Sequence, residues 1–356
     1  MSKESLCVRV PRIYGEKAII QATKLEIVNR ELEIQRNTDS IYVPLIRQPE
    51  KSELEKLKEH VPNFEISTHI FPERKKRAKT FAELLEDKLS PHLLASLPRA
   101  ADIVGDTAII EIPPELNKHR TIIGEAVLKT HRNVRTVLAK AGVVGGTYRV
   151  REFSIIAGEP KTETIHKEHG CQYHVDPTKA YFSPRLSYEH KRIASLVEEG
   201  ETVIDLFAGV GPFAVLIAKT HKDVKVYAVD LNPHAIEFLK RNIRLNRVEG
   251  KVHPILGDAK QTVEERLSGV ADRVIMNLPE KALEFVDAAC EALKPTGGTV
   301  HFYSFVSASD SLESVNLRFA KAVEKCERTM GRILLSKLVR PTAPYEWQAV
   351  LDAKIH

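Results

Sequence analysis

Hydrophobic and polar positions change rhythm three times along the chain, and each rhythm predicts a different kind of structure. Over residues 1–70 short apolar strands mix with amphipathic stretches: a strand over Leu6–Val10, a helix from Tyr14 to about Leu25, strands at Leu32–Ile34 and Ile41–Pro44, and a helix from Lys51 to Glu59. That pattern predicts a small α+β unit. From Thr80 it gives a helix through Leu84-Leu85, a break at Ser90-Pro91, a second short helix, strands at Ile103–Val104 and Ala108–Ile112, a helix from about Leu116 to Thr130, and strands around Val134–Ala139 and Tyr148–Ile156. After Ile165 strand and helix alternate. Apolar runs at Thr202–Leu206, Lys225–Asp230, Val252–Leu256, Arg273–Asn277 and Gly298–Ser304 are separated by helical stretches, and Leu334–Pro341 with Tyr345–Ile355 reads as a closing antiparallel pair. Such alternation predicts a doubly wound α/β sheet with right-handed crossovers. The expected division is therefore a small α+β domain (1–70), a basic linker (71–79), a second α+β domain (80–164) and a doubly wound domain (165–356).

Composition narrows the class. With 356 residues, 43% hydrophobic and 28% charged, the chain can build several cores, which excludes a disordered or collagen-like protein. No apolar run approaches the ~18 residues of a membrane span, and MSKESLCVRV has no signal-peptide core, so the expectation is a cytoplasmic protein without a membrane partner. Cys7, Cys171, Cys290 and Cys326 are far apart and lack ligand spacing, so neither a metal site nor a disulfide framework is expected. His166, His169 and His174 read as facing solvent or RNA, not as metal ligands.

The net charge of +5 is unevenly placed. Between Asn117 and Arg151 stand Lys118, Arg120, Lys129, Arg132, Arg135, Lys140, Arg149 and Arg151 against the single acid Glu125. A second run, Arg74-Lys75-Lys76-Arg77 with Lys79, follows Phe71-Pro72, whereas residues 80–116 hold seven acids and two bases. Local basic stretches of this kind suit a nucleic-acid backbone, although a lone run is as often a solvated face or a linker.

The chemistry begins at Val203-Ile204-Asp205-Leu206-Phe207-Ala208-Gly209-Val210-Gly211-Pro212-Phe213, a strand running through a Gly-x-Gly turn into a helix. Gly-x-Gly alone is weak, and the third glycine of a dinucleotide fingerprint is replaced by Ala214. Asp230 ends the next strand, where a carboxylate can accept both ribose hydroxyls, and is followed by Leu231. Asp258, followed by Ala259, ends the third strand and can meet an adenine edge, while Asp205 can hold the turn or a methionine amino group. Three strand-end acids without a pyrophosphate cradle suit S-adenosylmethionine better than NAD. The fourth strand ends in Asn277-Leu278-Pro279-Glu280, resembling the Asn-Pro-Pro-aromatic motif of amino-directed methyltransferases without its aromatic residue.

Three further segments complete the pattern: Tyr148-Arg149-Val150-Arg151-Glu152, His166-Lys167-Glu168, and Tyr181-Phe182-Ser183-Pro184-Arg185-Leu186-Ser187-Tyr188-Glu189. With the Gly-x-Gly loop and Asn-Leu-Pro, in this order, they resemble the archaeal and eukaryotic tRNA (guanine-N1)-methyltransferases that act on guanine 37. The resemblance is strong over residues 149–298 and looser before. It implies a Rossmann-like class I methyltransferase domain at the C-terminus preceded by two smaller α+β domains, S-adenosylmethionine as donor, and a tRNA with guanine 37 as partner; a monomer is expected, although the sequence does not encode oligomeric state. It also implies that the first domain checks tRNA shape.

Residue by residue, the resemblance puts the proton acceptor on Glu189, the O6 contact on Arg149, and the base-holding turn on Asn277 and Pro279. It puts donor contacts on Asp205, Phe207, Gly209, Gly211, Asp230, Leu231, Asp258, Ala259 and Asn277, with His190 standing where relatives often have Arg. Lys118, Arg120, Arg132, Arg135, Arg151 and Tyr181 are expected to meet RNA. The chemistry agrees, because guanine N1 carries a hydrogen that a base must remove while a cation meets the charge on O6. The plainer readings make Arg149 a phosphate contact and Glu189 a charge at a helix N-terminus. Rival functions are an aminocarboxypropyl transferase or a bifunctional methyltransferase of the wyosine pathway, and a non-catalytic tRNA chaperone.

Overall fold

The computed structural model describes residues 2–74, 80–98, 100–142 and 151–356, and the chain divides into two compact units, Met1–Lys79 and Thr80–His356. In the first, β1 (Ser2–Pro11) pairs antiparallel with β3 (Ser40–Pro44) and β4 (Glu65–Pro72), and β2 (Gln35–Arg36) adds to the outer edge of β3. Helices α1 (Gly15–Lys24) and α2 (Lys51–His60) bring Ala18, Ala22 and Leu57 against Val8, Val10 and Val43, a dry core built from one face of each element. Two expectations change. Leu32 makes only an isolated bridge to Glu73, so the strand starts later, at Gln35. β4 runs into the expected linker, and Phe71 is fully buried. Residues 75–79 of the basic run lie outside the described residues.

The second unit opens with turns over 81–88 where a helix was expected, their Leu85 and Leu89 plugged into a core; the short helix α3 (Pro91–Ala95) follows. Strands β5 (Asp102–Val104), β6 (Thr107–Ile110), β7 (Thr136–Lys140) and β8 (Phe153–Gly158) form a sheet in that order. The β6–β7 pair is parallel, and its crossover is a 3₁₀ turn at Pro114–His119 followed by α4 (Arg120–Thr130). The single helix expected from Leu116 is thus split, and α4 packs so close that a Cβ on Gly124 would sit 2.8 Å from that of Ala157.

A hairpin of β9 (Thr164–Glu168) and β10 (Cys171–Val175) leads to α5 (Ser187–Leu196) and a seven-stranded sheet. Its strands are β11 (Thr202–Asp205), β12 (Lys225–Asp230), β13 (Val252–Leu256), β14 (Arg273–Met276), β15 (Gly298–Ser307), β16 (Met330–Ala343) and β17 (Glu346–Ile355), in the order β13-β12-β11-β14-β15-β17-β16. The first five are parallel; β17 inserts antiparallel between β15 and β16. Helices α6 (Pro212–Thr220), α7 (Pro233–Asn246), α8 (Ala259–Thr262), α9 (Val286–Ala292) and α10 (Leu312–Glu324) fill the crossovers. Two separate apolar clusters, one around Ile204, Val274 and Phe302 and one around Val203, Ile217 and Tyr303, reflect burial of both sheet faces.

One contact ties the hairpin to this sheet. From α7, Asn242 Oδ1 accepts from His174 N and its Nδ2 donates to His174 O, while Asn246 does the same with Gln172. Both asparagines are buried, and their spacing of four along the helix matches two residues along a strand.

Candidate active site

The sheet reverses its winding between β11 and β14, and the carboxyl ends of the strands there carry the chemistry. After β11 the chain turns through Gly209 (φ +55°) and Gly211 (φ +89°), left-handed conformations that glycine adopts at least cost. At Gly211 a Cβ would also lie 2.3 Å from Leu239 Cδ1. Asp230 holds both neighbouring turns, its Oδ2 accepting from Gly209 N at 2.6 Å and its Oδ1 from Asn232 N at 2.8 Å. Asp258 caps α8 by accepting from Lys260 N and Gln261 N. Asp205 is wholly buried, with Oδ1 3.4 Å from Phe207 N and no hydrogen-bond partner on Oδ2 among the described residues. Burial, with the nearby Asp230 charge, pushes its carboxyl up to about 7, and burial raises Asp230 too.

A cavity of about 490 Å³ lies over these turns. Gly209, Asp230, Asp258, Ala259 and Asn277 line it together with the apolar walls of Phe207, Leu231, Pro279 and Phe285. A neighbouring cavity of about 400 Å³ is lined by Lys140, Arg151, Phe153 and the Phe182–Arg185 turn. The two share Tyr181, Glu280, Phe305 and Arg340. A larger, open cleft of about 700 Å³ between Asp106 and His174 has none of the strand-end acids, and its Lys161–Asp106 pair is already satisfied.

Between the cavities runs a chain of side-chain hydrogen bonds. Arg340 donates from Nη2 to Tyr181 Oη (3.3 Å) and from Nε to Gln348 Oε1 (3.0 Å), and Gln348 Nε2 donates to Asn277 Oδ1 (3.1 Å). Behind the wall, Glu189 is 1% exposed and lines neither cavity. Its Oε2 accepts from Arg192 Nε (2.9 Å) and Tyr303 Oη (2.9 Å), and Lys337 Nζ lies 3.0 Å from Oε1 as an ion pair off the hydrogen-bond direction. Burial works against ionisation here, but Arg192, Lys337 and Tyr303 outweigh it and hold the carboxyl below its ordinary value.

The network continues inward. Arg192 Nη1 donates to Asp352 (2.5 Å), whose other oxygen faces His301 Nδ1 at 2.7 Å. Arg273, clamped by Glu201, donates to His301 Nε2 at 2.9 Å. A guanidinium only donates, so Nε2 accepts and Nδ1 carries the proton, leaving His301 neutral.

Several expected donor contacts stand elsewhere. His190 is seated in the core, its Nδ1 2.6 Å from Glu168 and its ring edge-on to Phe213, so the donor role expected of it does not fit this placement. Glu168, opposed by burial but paired with His166 and His190, is held at about 2. His166 is correspondingly mostly buried and accepts from Gly105 N through Nδ1, contrary to its expected solvent- or RNA-facing place. Asp205 and Gly211 shape the turn from behind without lining the cavity. Arg149 lies outside the described residues. Lys118, Arg120, Arg132 and Arg135 are exposed, Arg151 is half-buried in the second cavity, and Tyr181 lines both. Sequence reading missed Gln348 and Arg340. The available signal was Gln348 and Asp352, two polar residues on one face of the buried stretch 348–353 of β17.

Strand order, turn and cavity together define a class I methyltransferase domain behind an α+β module. The donor set fits S-adenosylmethionine: Asp230 and Asp258 line an apolar-walled cavity of suitable size, and behind its turn the buried Asp205 keeps one oxygen unpartnered among the described residues. No helix among the described residues is long and apolar enough to cross a membrane, and no His/Cys/Asp/Glu group among them could hold a metal.

Family models match in succession: the tRNA methyltransferase 5 N-terminal domain over residues 7–53, the TYW2 N-terminal domain over 81–162, and the TRM5/TYW2 methyltransferase domain over 164–331. The chain is 36% identical to tRNA (guanine(37)-N(1))-methyltransferase Trm5b of Pyrococcus abyssi, over 99% of both chains. It is 35% identical to tRNA 4-demethylwyosine(37)-methyltransferase Taw21 of Saccharolobus solfataricus, over 78% of this chain and 99% of that one. Similar solved structures are Trm5b from Pyrococcus abyssi (TM-score 0.75, 35% identity, 99% of each chain) and aTrm5 in complex with tRNALeu (TM-score 0.73, 35% identity, 99% of this chain and all of that one). Another is Methanocaldococcus jannaschii Trm5 in complex with adenosine (TM-score 0.64, 34% identity, 98% and 99%). The chain belongs to the tRNA (guanine(37)-N(1))-methyltransferase Trm5 family.

Proposed function

We infer that this chain transfers the methyl group of S-adenosylmethionine to N1 of guanine 37 of tRNA, acting as a single chain in the cytoplasm. The observation that carries this is the pair of adjoining cavities: one is lined by strand-end acids, the other is roomy enough for a base and carries Lys140 and Arg151 beside Phe153 and Phe182, and they share Tyr181 and Arg340. The donor, when bound, supplies a methyl group on a sulfonium. Asp230 would accept its ribose hydroxyls and Asp258 its adenine edge, between Phe207, Leu231 and Ala259. Asp205 holds the turn from behind the cavity.

On the acceptor side, Glu189 is the proton acceptor for N1, kept anionic by Arg192. The reading requires the entering guanine to take the side of that carboxylate now covered by Lys337. Arg149 meets O6, and Asn277 with the Leu278-Pro279 turn holds the base beside the donor. Lys118, Arg120, Arg132, Arg135 and Arg151 grip the backbone of a splayed loop, and residues 1–70 check tRNA shape.

Methyl transfer to two unmodified transcripts differing only in guanine or adenine at position 37, with nucleoside analysis, tests the reading. Formation of 1-methylguanosine on the first alone is expected, and silence on both would refute it. Glu189→Gln should slow single-turnover transfer about 10²–10⁴-fold. The likeness to Taw21 favours a second activity on a tricyclic wyosine precursor, which a transcript carrying 4-demethylwyosine would reveal.

A further inference from the structure

Arg340 of β16 stands opposite Gln348 of β17 in the strand pair, so the two side chains meet by register. A guanidinium has donors and no acceptor, so Gln348 must turn its carbonyl oxygen toward Arg340. Its amide nitrogen is then left to donate, and it does so, to Asn277 Oδ1. With that oxygen taken, the amide of Asn277 has its nitrogen remaining, on a residue that lines the donor cavity. Gln348 is 1% exposed, and both polar ends of its side chain are bonded, so the polarity of each amide in the row is set by the one before it.

We propose that Arg340 and Gln348 are positioning residues that lock the Asn277 amide so that it offers a hydrogen-bond donor, and never an acceptor, to O6 of the target guanine. The inference rests on guanine being the target. Beside N1, guanine carries an acceptor at O6 where adenine carries an amino donor, so a fixed donor at this place accepts one base and repels the other. When N1 gives its proton to the base, the negative charge spreads to O6, and the Asn277 nitrogen meets that charge as it grows. O6 has two lone pairs, so a second donor from a cation is compatible.

The decisive variant is Gln348→Glu, equal in size to the native residue. One carboxylate oxygen keeps Arg340, the other only accepts, and Asn277 must turn its nitrogen away from the cavity and present its oxygen. Single-turnover methylation of a guanine-37 transcript should fall about 10²–10³-fold, as when an oxyanion donor is removed. The loss should fall on the transfer rate rather than on the donor dissociation constant. Gln348→Met breaks both bonds but leaves Asn277 able to turn either way, so it should lose less than Gln348→Glu. Packing alone predicts the opposite order. Arg340→Lys, still only a donor, should likewise lose less than Arg340→Met.

Melting temperatures show whether each variant is folded. If Gln348→Glu does not fold, the Arg340 pair decides. Wild-type-like transfer by folded Gln348→Glu, or equal losses in the two Arg340 variants, overturns the proposal. A wild-type protein that makes no 1-methylguanosine brings down the guanine reading, and the relay with it; a selective wild type whose variants fail this order brings down the relay alone.

Discussion

Replacing Asp205 by Asn keeps an oxygen for the Phe207 N–H and removes a carboxyl that burial holds at about 7, against an ordinary 3.8. Between those values the native protein keeps a proton that the unfolded chain has lost. Stability therefore falls as pH rises through this window, and the cost is complete above the folded value. The full cost approaches roughly 4 kcal/mol. Of this, roughly 2 kcal/mol is lost between about pH 5.5 and about pH 8. At about 2–4 °C per kcal/mol for a unit of this size, the melting temperature of the wild type should drop by roughly 4–8 °C relative to Asp205→Asn over that interval. Scanning calorimetry of the donor-free proteins at the two pH values measures the difference directly. Parallel pH dependences would refute a buried, unpaired Asp205.

The remaining predictions concern neighbouring parts. Arg192→Met removes the main partner that keeps Glu189 ionised against burial, so the Glu189 value rises and the acid limb of the pH–rate profile moves to higher pH; an unmoved limb would separate Glu189 from the proton transfer. Gly211→Ala places a Cβ at φ +89° and 2.3 Å from Leu239 Cδ1, and should destabilise by about 1–3 kcal/mol or more in denaturant titration; a neutral result would mean that the turn relaxes. Affinity for tRNA should fall with salt at a slope proportional to the phosphate contacts, and Arg132→Gln with Arg135→Gln should flatten it; an unchanged slope would take these residues out of the RNA surface.

The strands of the doubly wound domain were legible to within a few residues because parallel strands buried on both faces read as unbroken apolar runs, as Val226–Val229 does between its polar ends. The regions that misled are those where polar residues are buried or apolar ones are held by turns. β4 alternates Ile66 and Ile70 with Ser, Thr and His, a weak signal, while Leu84-Leu85 has helical spacing but sits in consecutive turns. In the site, the cavity residues Phe207, Gly209, Asp230 and Asp258 follow strand ends and could be placed by counting. Gln348 and Arg340 could not, because their role depends on β17 inserting beside β15, a long-range pairing that local pattern does not encode. His190 misled for the converse reason: the resemblance placed it next to the expected proton acceptor, but its place on α5 turns it to Glu168 and Phe213.

Asn242 and Asn246 present to β10 the same alternation of donor and acceptor that a third strand would. A two-stranded hairpin is marginal by itself, and its open edge is a template for pairing with another chain. Here a helix fills that edge with side chains, so the hairpin is closed to strand addition without lengthening the sheet. Apolar replacements at these two positions should therefore do more than loosen α7: they would leave an unpaired edge at Gln172 and His174, and self-association on partial unfolding is the hazard they would create.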